Sequence, residues 1–246
     1  MNNPDKMHRM IIPHPPMIEG KVKSVFNVSG APDKVMIQYN DKVTAGNGAK
    51  EDYPKEKGAT CALISAILFE HLNFYGVKTH FIDQISHTKC LCKKVDIIPI
   101  EFVVRNICAG SICRETTLHE GDSINSPLVE YYLKDDSKND PLLTMDRIIL
   151  MGYGPLMIEE IDKVCLRVNE LLKSLFERIG LTLVDFKLEF GYDADRNILL
   201  ADELSPDGMR LWKEGKSFDK DLFRKEEGSI VDAYKHILSE LKGINT

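Results

Sequence analysis

The chain has 246 residues, of which 43% are hydrophobic and 28% are charged, a composition typical of a soluble globular protein. That length can bury a sizeable core, either as one large domain or as two lobes. The formal net charge of −6 argues against a nucleic-acid-binding protein, because such proteins usually carry a basic excess. Any phosphate site must therefore be a local concentration of Lys and Arg.

Membrane and export signals are not found in the sequence. No apolar run approaches the length of a membrane span, and the apolar core of the N-terminal segment is too short for a signal peptide. The six cysteines do not form a convincing framework. Cys90 and Cys92 are separated by one residue, and no second pair or histidine follows Cys108 and Cys113 at zinc-finger spacing. We therefore expect reduced, buried thiols and a cytoplasmic protein.

Two lysines stand out in the first predicted strand, residues 19–28. Lys21 and Lys23 are two positions apart, so both ammonium groups should project from one face. Gly20 precedes them, and a glycine there lets the backbone approach a ligand closely. Two lysines on one face repel each other unless an anion lies between them, and a nucleotide phosphate would serve. The alternative is an exposed strand edge protected by lysine.

The next predicted elements are a strand, a loop and a helix. Residues 34–40 predict a strand, and the glycine-containing stretch 41–50 predicts a loop. Residues 59–75 are apolar at helical spacing and stop at a glycine. His80 and His87 follow, but a lone histidine on a strand is more often structural than a metal ligand, so neither is assigned a role.

Residues 90–105 predict two consecutive strands that meet at Pro99. The second strand places Glu101 and Arg105 on one face and apolar residues on the other. A buried arginine must pair with an anion, because burying it unpaired is very costly. That anion is either Glu101 or a ligand. Small residues follow the strand, and with the Ser111 hydroxyl they would allow a ligand to approach.

The second half of the chain contains two predicted helices and a polar segment. Residues 126–141 are polar and predict either a solvated connector or a loop that brings Lys134 to a site. Apolar stripes at helical spacing predict helices at 159–180, ending at Gly180, and at 229–241. Nothing catalytic is assigned to either helix.

The strongest chemical signal comes from a predicted hairpin near the C-terminus. Residues 183–190 alternate strictly between apolar and charged side chains, which predicts a strand with one buried face. Turn residues follow, and residues 198–203 predict the second strand of an antiparallel hairpin. If the register places Glu189 and Asp202 on the same face, two carboxylates and Lys187 converge.

Two neighbouring carboxylates need a cation between them, because like charges repel. Mg²⁺ is the natural candidate, since it typically binds one or two carboxylates plus substrate phosphates. A tight turn after the hairpin then delivers Arg210, whose planar fork of donors suits a carboxylate or a phosphate. The alternative is a solvated hairpin face with ordinary salt bridges.

Four stretches resemble signature segments of one enzyme family: EGKVK, PIEFVVRNICAGS, LVDFKLEFG and DELSPDGMRLW. In this order they make the chain similar to the phosphoribosylaminoimidazole-succinocarboxamide synthase (SAICAR synthetase) family over residues 19–212. The resemblance implies an α+β fold of two lobes, related to ATP-grasp enzymes, with antiparallel sheets, flanking helices and a cleft between the lobes. We expect an N-terminal extension at 1–17, a mainly β nucleotide-binding lobe at 18–98, and a metal- and substrate-binding α+β lobe at 99–246.

The resemblance also implies a reaction. Members of this family join L-aspartate to the carboxylate of carboxyaminoimidazole ribonucleotide (CAIR), with ATP giving ADP and phosphate, and Mg²⁺ is the expected metal. Relatives of known ATP-binding folds hold adenine at a strand junction, which would be residues 96–98 here. Bacterial relatives suggest a homodimer. The alternatives are another ATP-grasp or kinase-like phosphotransferase and a nucleotide-binding module without turnover.

The candidate residues fall into four groups. Lys21, Lys23 and Lys134 would contact ATP, and Glu189 and Asp202 would hold Mg²⁺. Lys187, Asp41 and Arg210 would be catalytic, and Arg105, Ser111, Arg210 and Asp41 would bind CAIR or aspartate.

Overall fold

The computed structural model describes residues 15–46 and 48–244. Most of the predicted extension at 1–17 therefore lies outside the described residues. The fold is α+β with antiparallel sheets and flanking helices, as predicted. The described part of the chain contains helices α1 (Lys57–Phe74), α2 (Ser111–Glu115), α3 (Met145–Leu150), α4 (Pro155–Arg178), α5 (Asp221–Lys225) and α6 (Ile230–Ile244).

The N-terminal part of the chain forms a five-stranded antiparallel sheet. Its strands are β1 (Ile18–Glu19), β2 (Lys23–Val28), β3 (Ala31–Tyr39), β6 (Phe81–Ser86) and β7 (Lys89–Lys93). They lie in the order β1-β2-β3-β7-β6. A two-stranded ribbon, β4 (Val43–Ala45) and β5 (Lys50–Asp52), precedes α1. Helix α1 packs against β3, β6 and β7 and covers one face of this first sheet.

The second sheet carries most of the charged residues of interest. Its strands are β8 (Asp96–Ile107), β9 (Ser123–Leu133), β10 (Leu142–Leu143), β11 (Thr182–Tyr192), β12 (Ile198–Ala201), β13 (Met209–Lys213) and β14 (Lys216–Ser217). They lie in the order β10-β9-β8-β11-β13-β14, and β12 also pairs with β11. Helix α4 packs against β8, β9 and β11.

The two sheets are joined by a two-residue connection, Lys94 and Val95, between β7 and β8. The sequence predicted this junction at Pro99, which was wrong, because Pro99 lies inside β8. The register between β8 and β11 shifts close to this proline, and such irregular positions tolerate a residue that has no N–H to donate. The predicted lobe boundary at residue 98 stays a prediction.

The three long predicted helices are present as α1, α4 and α6. Strand β9 corrects the prediction of a solvated connector or loop over residues 126–141, because the residues up to Leu133 form a strand and the loop begins only at Lys134. None of its residues is fully buried, so no strictly alternating buried face marks the strand in the sequence. Hydrogen bonds to β8 fix its position instead. No helix in residues 15–46 and 48–244 is long and apolar enough to cross a membrane.

One continuous core joins both sheets to the long helices. Helix α1 is buried around most of its circumference, because the first sheet covers one side and α6 the other. Phe69, Phe176 and Phe186 are each at most 1% exposed, and burying such a side chain contributes about 1.5–3 kcal/mol. All six cysteines are free, and five of them are buried.

Candidate active site

A cleft of about 880 Å³ lies between the two sheets. Nine of the ten candidate residues line it: Lys21, Lys23, Arg105, Ser111, Lys134, Lys187, Glu189, Asp202 and Arg210. The tenth, Asp41, is not among the lining residues. The cleft therefore combines the groups that the sequence placed on separate elements.

The β11–β12 hairpin brings Glu189 and Asp202 to this cleft, but strand alternation alone does not do so. Glu189 lies opposite Ala201 in the register, so Asp202 would point to the other face if β12 continued. Instead β12 ends at Ala201, and Asp202 adopts a left-handed conformation with φ 64°. The turn at the strand end therefore delivers the second carboxylate.

The charged face of β11 is buried, which corrects the prediction of a strand with one buried face. Asp185 and Glu189 are only 3% and 2% exposed, because this face lines the cleft rather than the outer surface. Buried carboxylates must be paired, since an isolated buried charge is very costly. Their partners, Arg105, Arg210, Lys134 and Lys187, all come from the second sheet and the loop after β9.

Two lysines pair with Glu189. The β8–β11 register places Glu101 directly opposite Glu189. Lys187 Nζ lies 2.6 Å from Glu101 Oε1 and 3.1 Å from Glu189 Oε1, and Lys134 pairs with Glu189 Oε2. Burial alone would lower the pKa of Lys187, but Glu189 and Glu101 raise it above its usual value. Lys187 is therefore charged at neutral pH.

Lys23 crosses the cleft to the second sheet. Its Nζ donates to Asp202 Oδ2 at 2.7 Å and to Glu203 Oε1 at 3.0 Å. Burial would raise the pKa of Asp202, but Lys23 and two further lysines hold it well below its usual value. Asp202 is therefore ionised and available as an oxygen ligand.

His80, which was assigned no role, ties the first sheet to the strand before Asp202. Its backbone N–H donates to the backbone carbonyl of Leu200 at 2.8 Å, and its backbone carbonyl accepts from the backbone N–H of Lys93 at 2.7 Å. The ring is 2% exposed and its centroid lies 5.2 Å from that of Phe69. Burial lowers the pKa of His80 to about 4, so the imidazole is neutral at pH 7.

Lys21 lies in a turn rather than on the predicted strand. Gly20 N donates to Lys23 O at 2.9 Å, and β2 begins only at Lys23. Lys21 Nζ lies 2.6 Å from Asp136 Oδ1, and both side chains are largely exposed. Lys21 and Lys23 line the same cleft, as predicted, but Lys21 stands at its mouth and Lys23 inside it.

The Arg105 guanidinium makes five hydrogen bonds. Its acceptors are Glu130 Oε2 at 2.6 Å, Asp185 Oδ2 at 2.8 Å, Ala109 O at 3.1 Å, Ser111 Oγ at 2.7 Å and Tyr132 Oη at 3.2 Å. Glu101, proposed from the sequence as an internal partner, pairs with Lys187 instead. The anions of Arg105 come from β9 and β11, which sequence spacing could not reveal.

Arg210 lies beside Arg105 and shares Asp185 with it. Its Nη1 donates to Asp185 Oδ2 at 2.7 Å and its Nε donates to Asp221 Oδ2 at 3.0 Å. Burial would lower the pKa of Arg210, but these two carboxylates raise it. Gly110 has φ 70°, and a Cβ there would lie 2.4 Å from Arg210 Nη2. Glycine is therefore required where the backbone approaches the guanidinium.

Asp41 caps helix α1. Its Oδ1 accepts from Gly58 N at 2.9 Å, and its Oδ2 accepts from Glu56 N at 3.3 Å. Backbone N–H groups at a helix N-terminus need such acceptors, and a negative charge there is favourable. The geometry gives Asp41 this structural task, and its role with the substrates stays a prediction.

The sequence reading missed a basic pair at the far end of the cleft. Lys220 and Arg224 both line it, and burial lowers the pKa of Lys220. Arg224 Nη1 lies 2.5 Å from Asp221 Oδ1. The two cations are four residues apart around helix α5, a spacing that places them on one face. That spacing was a usable signal.

The donor set fits a hard divalent cation. Glu189 Oε1 is buried and accepts no hydrogen bond, although the charge of Lys187 is close to it. Asp202 supplies a second ionised oxygen ligand. Among the described residues no three His, Cys, Asp or Glu side chains converge as a complete metal site. Mg²⁺ suits such a partial set, because it completes its shell with water and phosphate oxygens.

The sequence matches the SAICAR synthetase family over residues 16–241. The chain belongs to the SAICAR synthetase family. It is 44% identical over 232 residues to the phosphoribosylaminoimidazole-succinocarboxamide synthase of Staphylococcus carnosus, covering 93% of this chain and 98% of that protein. It is 45% identical over 234 residues to the corresponding enzyme of Methanocaldococcus jannaschii, covering 94% and 96%.

The fold agrees with this family membership. A solved structure of a SAICAR synthetase in complex with ADP has a TM-score of 0.89 and 39% identity to this chain. The match covers 92% of this chain and 97% of that one. The likeness thus extends over both sheets and the cleft between them.

Proposed function

We propose that this protein is an ATP-dependent carbon–nitrogen ligase that joins L-aspartate to the carboxylate of CAIR, giving SAICAR, ADP and phosphate in purine biosynthesis. Family membership supports the reaction, and the ADP complex of a relative supports ATP as co-substrate. The observation that carries the proposal is the single cleft in which lysines and arginines of both sheets converge with ionised carboxylates.

The chemistry explains why so many charges are needed. A carboxylate is a poor acyl donor, because attack by an amine would have to expel oxide. Transfer of the γ-phosphoryl group to the CAIR carboxylate makes an acyl phosphate and leaves ADP. The aspartate amine then forms the C–N bond, and phosphate leaves with the C–O electrons. The protein's task is to position three anionic reactants and neutralise their charge.

ATP is assigned to the half of the cleft next to the first sheet. Apolar side chains of Val25, Val35, Ile37 and Ile97 line this half and suit an adenine ring. Ile97 belongs to the predicted adenine-binding stretch. The lysines Lys21, Lys23 and Lys134 line the same cleft and are assigned to the phosphate oxygens.

Glu189 and Asp202 are proposed to hold Mg²⁺. Bound there, the ion would neutralise charge on the transferring phosphoryl group as a Lewis acid. Lys187, between Glu189 and Glu101, is assigned to the developing phosphate charge. Losing one such charged contact should cost about 2–4 kcal/mol of transition-state stabilisation, by analogy with an oxyanion-hole donor.

CAIR and aspartate are assigned to the arginine end of the cleft. Arg210 lines the cleft, and among the described residues it donates hydrogen bonds only through Nε and Nη1, so Nη2 has no protein acceptor. Ser111 and Arg105 stand beside it. All five Arg105 donors already have acceptors, so a direct contact from Arg105 to a substrate must replace a hydroxyl such as that of Ser111.

Assembly and location are also part of the proposal. Leu150 and Leu156, on neighbouring helices α3 and α4, are 87% and 77% exposed. Both side chains are proposed to be buried against a second copy of the chain in a homodimer. Sedimentation of the wild type and of Leu150→Glu tests this homodimer. A cytoplasmic location agrees with six free cysteines, because the cytosol keeps thiols reduced.

A coupled assay of ADP release, with each substrate omitted in turn, tests the reaction. The ligase requires both CAIR and aspartate for sustained ADP release and yields SAICAR. ADP release that needs only one acceptor would favour a kinase-like phosphotransferase. Nucleotide binding without any turnover would favour a binding module and would end the ligase proposal.

A further inference from the structure

Asp185 stands at the centre of a row that crosses three strands. On one side the register pairs it with Arg105 of β8, and on the other side with Arg210 of β13. The three side chains therefore project from the same face of the sheet. Both guanidiniums reach the same carboxylate oxygen, Oδ2, through their Nη1 atoms at 2.8 and 2.7 Å.

Without this carboxylate the two guanidiniums would be neighbouring like charges on one buried face. Arg105 is 2% exposed and Asp185 is 3% exposed, so water cannot screen the repulsion well. The other partners differ between the two arginines, since of the two only Arg105 pairs with Glu130 and only Arg210 pairs with Asp221. Asp185 is the carboxylate that sets the position of one arginine relative to the other.

The consequence for the cleft concerns the edge of Arg210 that carries Nη2. Nη1 and Nε donate hydrogen bonds to Asp185 and Asp221, and the backbone of Gly110 packs closely against the guanidinium. These contacts fix the plane of the guanidinium, and among the described residues only Nε and Nη1 donate hydrogen bonds, which leaves Nη2 without an acceptor. A planar fork held in this way loses little further freedom when it binds an anion.

We propose that Asp185 is a positioning residue that aligns Arg105 and Arg210 for an anionic group, carboxylate or phosphate, of the CAIR substrate. The inference rests on the proposed assignment of CAIR to the arginine end of the cleft. It goes beyond that assignment by naming a residue that acts through the two arginines to control the affinity for one of the three substrates.

Asp185→Asn is the first test. It keeps the volume but removes the charge and places an amide donor against one guanidinium. We expect the KM for CAIR to rise about 30-fold or more, the effect of breaking a buried charge pair. The KM for ATP and the Kd for ADP, measured by calorimetry, should stay within about twofold of wild type because the lysines at the other end are untouched.

Asp162→Asn is the matched control. Asp162 is a partly buried carboxylate that accepts from Tyr131 Oη at 2.7 Å, and it does not line the cleft. Its loss should lower the Tm without changing the KM for CAIR. If Asp185→Asn behaves like this control, or raises the KM for ATP as much as that for CAIR, the role is merely structural and the proposal is overturned.

Arg210→Gln separates this inference from the assignment on which it rests. If Arg210→Gln leaves the KM for CAIR unchanged, the substrate assignment fails and the inference fails with it. If Arg210→Gln raises that KM but Asp185→Asn does not, only the inference fails. Should Asp185→Asn not fold, Asp185→Glu keeps the charge and displaces it by one methylene. A selective rise in the KM for CAIR then supports the proposal, and an unchanged KM overturns it.

Discussion

Lys23 of the first sheet donates a 2.7 Å hydrogen bond to Asp202, which follows strand β12 of the second sheet. The contact spans the cleft and joins residues 179 positions apart in the chain. Its two partners are assigned to the same ligand from opposite sides, Lys23 to the phosphates of ATP and Asp202 to their metal ion. The contact between the two sheets is therefore made by residues that are assigned to nucleotide binding.

Lys23→Gln should weaken nucleotide binding and destabilise the fold. The substitution removes a cation from the phosphate site and leaves Asp202 and Glu203 without their main partner. We expect the Kd for ADP to rise by a factor corresponding to about 2 kcal/mol or more. Calorimetry measures the Kd and thermal unfolding the Tm. Lys163→Gln, at an exposed position of α4, is the control, and equal effects of both substitutions would contradict the assignment.

Glu189→Gln with Asp202→Asn tests the metal assignment. The double variant loses both proposed carboxylate ligands, so the Mg²⁺ concentration for half-maximal activity should rise about tenfold or more. Titration of Mg²⁺ in the presence of ADP, followed by calorimetry, gives a second readout that does not require turnover. Full ligase activity with an unchanged Mg²⁺ concentration for half-maximal activity would show that the ion binds elsewhere.

Gly110→Ala should damage the arginine end of the cleft. A Cβ there would lie 2.4 Å from Arg210 Nη2, at a residue with φ 70°. We expect kcat/KM for CAIR to fall about tenfold or more, since small displacements of positioning groups are costly. Gly121→Ala provides the matched control, because Gly121 also has a positive φ, 95°, but a Cβ there meets nothing within 4 Å. Equal losses in both variants would attribute the effect to backbone strain alone.

His80 should make the stability of the protein depend on pH. Burial lowers its pKa from 6.5 to about 4, so the unfolded chain binds a proton below pH 6.5 that the folded protein rejects. This stabilisation is complete above about pH 6.5 and is lost progressively as the pH falls towards 4. Between pH 6.5 and 5 the loss from this group is about 2 kcal/mol.

Urea unfolding of the wild type and of His80→Gln over this pH range measures that contribution. The variant cannot take up the proton, so its free energy of unfolding should fall less steeply as the pH is lowered. Parallel curves for the two proteins would mean that His80 titrates alike in the folded and unfolded states.

Short-range patterns of the sequence gave the elements of the site but not its pairings. The alternation of residues 183–190 predicted β11, and glycine positions predicted the ends of the long helices. Asp202 reaches the cleft through a left-handed turn, which alternation cannot anticipate. The partners of Arg105 come from strands 25 and 80 residues away, and only the sheet order brings them together.

Two further cases show the same limit of local sequence patterns. Strand β9 is defined by hydrogen bonds to β8 rather than by an apolar face, so composition made it look like a connector. Asp41 lies in the glycine-containing stretch 41–50, and its contact with the N-terminus of α1 joins residues 17 positions apart, which local spacing does not reveal. In both cases a tertiary contact decides what a local pattern leaves open.

The lysine–carboxylate pairs of the cleft bear on which nucleotides it accepts. Lys23, Lys134 and Lys187 each have an acidic partner within the protein, so an incoming polyphosphate exchanges one set of ionic partners for another. The net binding free energy is therefore a small difference between two large electrostatic attractions. A monophosphate carries too few charges to compensate for the pairs it disrupts, whereas a triphosphate accompanied by a metal ion satisfies lysines and carboxylates together. The cleft should therefore discriminate among adenine nucleotides by the length of the phosphate chain.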